Sequence, residues 1–160
     1  MLDTVSRILR AVATNQVARW APSFYVRATR QTGRGEAGTE TPDGIARYFR
    51  QCVDDYFEIL GIPAHDRFAF LQAKRILEYG PGDFPGVALL MVANGAEQVI
   101  CVDRFALVSM SDKNRQVVDC LRSGLSDAER GRFDACLRLE GGFVSGLDPK
   151  RCLLYTSRCV

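Results

Sequence analysis

Histidine and tryptophan occur once each in 160 residues, and several patterns that would announce a function are missing altogether. The lone histidine, His65, and six cysteines that never form C-x-x-C leave no Cys/His set at structural-zinc spacing, so no metal is expected. No uncharged apolar run approaches the roughly 18 residues needed to span a bilayer. Residues 1–20 carry Asp3, Arg7, Arg10 and Arg19 where a secretory leader would need an apolar centre. The chain is therefore expected to be cytoplasmic, without stable membrane insertion. Basic residues number 21 and acidic residues 19, and no block of five Lys/Arg occurs, so no nucleic-acid partner is expected. What remains is close to average, with 47% apolar, 25% charged and 9% aromatic residues, as in one globular unit with a small core. Cys52 and Cys101 fall on apolar faces and are expected to be buried free thiols.

Apolar positions Leu2, Val5, Ile8, Leu9 and Val12 predict a short amphipathic helix, ended by Pro22 and docked on its own domain. Residues 29–44 hold four glycines and no large apolar side chain, the composition of a loop. Thr41 and Pro42 then open a helix whose face, Ile45, Tyr48, Phe49, Cys52, Val53, Tyr56, Phe57 and Leu60, reads as core, until Gly61 and Pro63 stop it. Arg75 to Tyr79 and Gln98 to Val102 have strand composition. The apolar run Phe84 to Ala93 between them reads as a buried helix closed by Asn94-Gly95. Strand, glycine turn, helix, strand is a βαβ unit with parallel strands. Ser111 opens a helix with Val117, Val118 and Leu121 on one face. Ser126-Asp127-Ala128-Glu129 is a capping box opening another, with Phe133, Cys136 and Leu137 inward.

The segment Ile76-Leu77-Glu78-Tyr79-Gly80-Pro81-Gly82-Asp83, followed by helix and by Val102-Asp103, is where chemistry concentrates. Gly80 and Gly82 let a strand turn sharply and a ligand approach the backbone. The helix N-terminus behind them offers N–H groups to a carboxylate or phosphate. Asp103, 21 residues beyond Gly82, is spaced to accept from ribose hydroxyls. A carboxylate at Glu78 would repel a pyrophosphate and attract an ammonium. The ligand joining a ribose to an amino acid is S-adenosylmethionine (SAM). Two plainer roles stay open, Glu78 pairing with Arg75 or Arg104 at a sheet end, and Asp103 capping a helix.

At these residues the chain resembles a known family. Leu77-Glu78-Tyr79-Gly80-Pro81-Gly82 looks like motif I of the class I SAM-dependent methyltransferases, and Val102-Asp103-Arg104-Phe105 like their second motif, a match covering about residues 75 to 105. Tyr25-Val26-Arg27, Thr32-Gly33-Arg34-Gly35 and the Tyr48 to Leu60 helix are similar, less specifically, to an N-terminal extension of some bacterial members. The resemblance implies that Glu78 holds the methionine ammonium, that Gly80 and Gly82 with Pro81 form the floor beneath the methionine, and that Asp103 binds the ribose. It puts Asp83 near the sulfonium, and Arg104 and Phe105 on the adenosine side with Phe105 beside the adenine. The implied fold is α/β, a truncated Rossmann-like SAM-binding βαβ core (73–151) behind a helical N-terminal extension (1–72) on the lid or substrate side.

Residues 152–160 change character after Asp148-Pro149-Lys150-Arg151, and Cys152 to Ser157 resembles one reading frame of a transposon adapter used in sequencing libraries. The segment reads as a non-native tail, with a genuine strand over Leu153 to Thr156 as the other reading. Only part of the family's seven-stranded sheet is then represented, so weak SAM affinity and no turnover are expected. No catalytic base can be named. The acceptor is expected to be a small molecule; Arg27, Arg30, Arg34 and Arg47 read first as solvated surface, with attraction of an anionic acceptor as the other reading. The rival classes are a nicotinamide-dependent oxidoreductase fragment and a non-catalytic SAM-binding domain.

Overall fold

The structure is a computed structural model that describes residues 2–21, 24–25, 40–103 and 107–156. The chain is mixed α/β. Its elements are α1 (Leu2–Trp20), α2 (Pro42–Ile59), a 3-10 turn (Ala64–Asp66), α3 (Arg67–Leu71), β1 (Arg75–Tyr79), α4 (Gly86–Ala93), β2 (Gln98–Asp103), α5 (Asp112–Ser123), α6 (Asp127–Asp134), β3 (Leu137–Glu140), β4 (Phe143–Leu147) and β5 (Cys152–Thr156). Strands β1, β2 and β5 form a parallel sheet in the order β1-β2-β5, and β3 and β4 form a separate antiparallel hairpin.

The βαβ unit forms as its sequence requires. Arg75 pairs with Gln98 and Tyr79 with Val102 in parallel register, and Arg75 Nε donates to Gln98 Oε1 at 3.0 Å. Helix α4 is apolar on all sides and is buried at Gly86 and from Ala88 to Ala93, as such a helix must be. It begins at Gly86 rather than at the expected Phe84. Pro85 disfavours helical backbone at the residue before it and itself occupies the N-cap position.

One apolar core runs from Ile45 to Cys152, with α4 against β2, α2 and α6 against α4, and α5 against α2. Phe57, Phe84 and Phe133 lie wholly inside it, each burial stabilising by about 1.5–3 kcal/mol. Helices α2 and α4 meet at Gly86, where a Cβ would stand 2.3 Å from Phe49 Cδ2. Three caps set the helix starts. Thr41 Oγ1 accepts the Gly44 N–H, Ser111 Oγ accepts the Asn114 N–H, and Ser126 and Glu129 close the capping box. Each such cap is worth about 0.5–2 kcal/mol.

Several expectations are corrected. The α2 stripe divides into two rows. Ile45, Phe49, Val53 and Phe57 enter the core, whereas Tyr48, Tyr56 and Leu60 are exposed and Cys52 is half-buried. Helix α1 does not dock by its apolar face, because Val5, Ile8, Leu9 and Val12 are exposed and Ala18 alone among its described side chains is buried. Leu137 opens β3 rather than lining α6, which stops at Asp134. Residues 152–156, for which tail and strand were both open, form β5 beside β2, with Cys152 buried in the core. Most of the loop expected over 29–44 lies outside the described residues. Among the described residues no helix is long and apolar enough to cross a membrane.

Candidate functional site

The turn after β1 is a backbone device that only glycine makes without strain. Gly80 and Gly82 take φ +75° and +74°, where a side chain costs about 1–2 kcal/mol. The Gly80 N–H donates to the Val102 carbonyl at 2.8 Å, which carries the ladder one residue past the strand. The space where a Gly80 Cβ would stand is open, with nothing within 4 Å. Pro81 and Gly82 are buried, and Asp83 is half-buried.

Two carboxylates flank this turn on neighbouring parallel strands. Glu78 pairs in register with Cys101, and Asp103 follows two residues later, so both leave the same sheet face near its carboxyl end. Asp103 is the last residue of β2, and its Oδ2 accepts the Gly82 N–H at 3.4 Å. Glu78 Oε2 accepts the Cys101 thiol at 3.5 Å. Burial raises the Glu78 carboxyl above its ordinary value, and hydrogen bonds from Cys101 and from the Ala88 backbone offset this only in part. Glu78 makes no ion pair among the described residues, since Arg75 is engaged by Gln98 instead. Cys101 itself is held as the thiol, raised first by its hydrogen bond with Cys152 and then by burial. Burial likewise pushes Cys136 up to about 12, so these thiols are structural rather than nucleophilic.

The structure divides the expected site residues into two groups. Glu78, Gly80 and Pro81 line a cavity of about 500 Å³ between α2, α4 and β1. Gly82, Asp83 and Asp103 stand behind them as the turn and its support. Arg104 and Phe105, like Arg27, Arg30 and Arg34, lie outside the described residues. No family model, curated protein or solved structure matches this chain.

The site geometry includes residues which pattern reading passed over. Asn114, the one buried polar side chain among the described residues, donates from Nδ2 to the Asp83 carbonyl (3.3 Å) and the Ser109 carbonyl (2.8 Å). The Ser109 N–H also donates to the Asp83 carbonyl at 3.2 Å. Helix α5 thus clamps the glycine turn to the segment after β2. The only signal for this in the sequence is an Asn at the third helical position after Ser111. The second α2 row, Tyr48, Cys52, Tyr56 and Leu60, lines the cavity rather than the core. Arg47 forms an ion pair with Asp43 on the exposed side of α2, and His65 is exposed beside Asp66. Among the described residues no group of three His, Cys, Asp or Glu side chains is placed to hold a metal ion.

Proposed function

We propose that this chain carries the SAM-binding part of a methyltransferase of Rossmann-like fold. The observation that carries the proposal is Glu78, a half-buried carboxyl near the end of β1 with no ion pair among the described residues, beside a glycine turn open to a ligand. Such a group suits a ligand that brings its own cation, and an α-ammonium meets it with charge and hydrogen bonds together. Gly80 leaves room for the methionine to lie against the backbone. Asp103 stands one strand away on the same face, where it would accept from the ribose, and also steadies the Gly82 N–H. Asn114 and Ser109 fix Asp83, so the turn is held before a ligand arrives. The bound donor would supply a methyl group already activated by positive sulfur. The protein's part is then positioning and exclusion of water, which explains why binding groups are legible here and no base is.

Calorimetric titration with SAM and, separately, with NADP⁺ tests the assignment. Saturable SAM binding with no NADP⁺ heat is expected. NADP⁺ binding without SAM binding would transfer the chain to the nicotinamide class.

A further inference from the structure

Helix α2 presents two apolar rows one residue-step apart, and the core uses one of them. The second leaves Tyr48 and Tyr56 about half exposed, at 47% and 52%, although the adjacent row of the same helix is buried. Both rings, with Tyr79 of β1, stand around the mouth of the cavity, whose buried walls include Phe49, Phe57 and Met91. At about 500 Å³ the space matches sites that enclose small molecules, roughly 300–1,000 Å³. Among the described residues its charged groups are two, Lys74 and Glu78. Glu78 lies at the glycine-turn end, and Lys74 precedes β1 with its Nζ bonded to the Phe70 carbonyl and set over the Phe70 ring. Among the described residues no guanidinium lines it, Arg47 is paired with Asp43, and the Lys74 ammonium is taken up by the Phe70 carbonyl and ring.

The geometry points to this cavity as the binding site of a neutral, apolar small molecule with an aromatic or aliphatic body. Resting on the methyltransferase reading above, that molecule is the methyl acceptor, because the cavity reaches Glu78 and Gly80, where the amino-acid end of the donor is assigned. In the transfer, a lone pair on an acceptor heteroatom forms the new bond to the methyl carbon while the carbon–sulfur bond breaks. The bonding pair returns to sulfur, giving S-adenosylhomocysteine, and the heteroatom's proton passes to water.

The probe is N-phenyl-1-naphthylamine, neutral and fluorescent when removed from water, titrated into the whole chain with and without SAM. One probe per chain is expected, and Cys52→Trp, which fills the cavity from the α2 wall, should weaken it at least about tenfold. In the unsubstituted chain the probe should slow alkylation of Cys52 and not of Cys120, which is half-buried outside the cavity. The alkylation result decides the matter if Cys52→Trp fails to fold. Absence of probe binding, or binding without protection of Cys52, overturns the inference. So does self-association of the chain that excludes the probe, which would make the face an interface between copies. Probe binding with protection but no SAM binding leaves an apolar-ligand site and overturns its role as acceptor site together with the methyltransferase reading.

Discussion

Replacing Glu78 by Gln separates a ligand-binding carboxylate from a structural one, because the two roles predict opposite signs. The amide keeps the volume and still offers an oxygen to the Cys101 thiol and the Ala88 N–H, so only the charge is lost. Burial holds the folded carboxyl above its ordinary value of 4.5. A group raised on folding stabilises the folded chain when protonated, and that contribution is lost as pH rises from the unfolded value through the folded one. At neutral pH the ionised side chain therefore opposes folding, and Glu78→Gln is expected to melt no lower than wild type. Any advantage of the variant should close as the pH falls below the ordinary carboxylate value. Binding changes in the other direction. A charge-assisted hydrogen bond to an ammonium is worth about 1.5–3 kcal/mol, so SAM should bind about 10- to 150-fold more weakly. Calorimetric titration at neutral pH, with thermal melts at neutral and acid pH, reads both effects on the same samples. A variant that melts markedly lower at neutral pH and binds SAM as well as wild type would refute the reasoning, leaving Glu78 as an acceptor that holds the start of α4.

Four further outcomes follow from the packing. Gly80→Ala meets no neighbour within 4 Å, so only its φ of +75° opposes it, and the unfolding free energy in urea should fall by about 1–2 kcal/mol at constant m. Gly86→Ala drives a Cβ to 2.3 Å from Phe49 Cδ2 and should lose about 1–3 kcal/mol, with part recovered in a Phe49→Leu background by a double-mutant cycle. Asn114→Ala strips a buried donor from the Asp83 and Ser109 carbonyls, a loss of about 1–3 kcal/mol in denaturant with weaker SAM binding alongside. A chain ending at Arg151 lacks β5 and uncovers the β2 edge, so it should melt well below the 160-residue chain; identical melting would deny the strand any structural role.

The parts of this fold that local chemistry decides were legible. Thr41, Ser111 and the Ser126/Glu129 pair each satisfy N–H groups that a helix start leaves open, so their helices begin where the side chains say. The β1 turn was legible too, since Gly-Pro-Gly after a short strand has few conformations available. What escaped depends on partners distant in sequence. The two α2 rows differ only in what faces them, β1 and the cavity or α4 and α5, and no periodicity distinguishes those. The hairpin of β3 and β4 carried its signal in Gly141-Gly142, both at positive φ, but Leu137 was assigned to the preceding helix and hid the alternation. Helix α3, five residues long, is too short to show a period. Asn114 could not be recognised from spacing, because its two acceptors are backbone carbonyls in other segments.

Backbone amide spectra of the ¹⁵N-labelled chain, titrated with SAM, put the central claim to its most direct test. Gly80, Gly82 and Asp103 are expected to shift together and saturably with SAM and to stay in place with NADP⁺. Movement of these amides by NADP⁺ alone, or a SAM titration that leaves all three unmoved, would contradict the account.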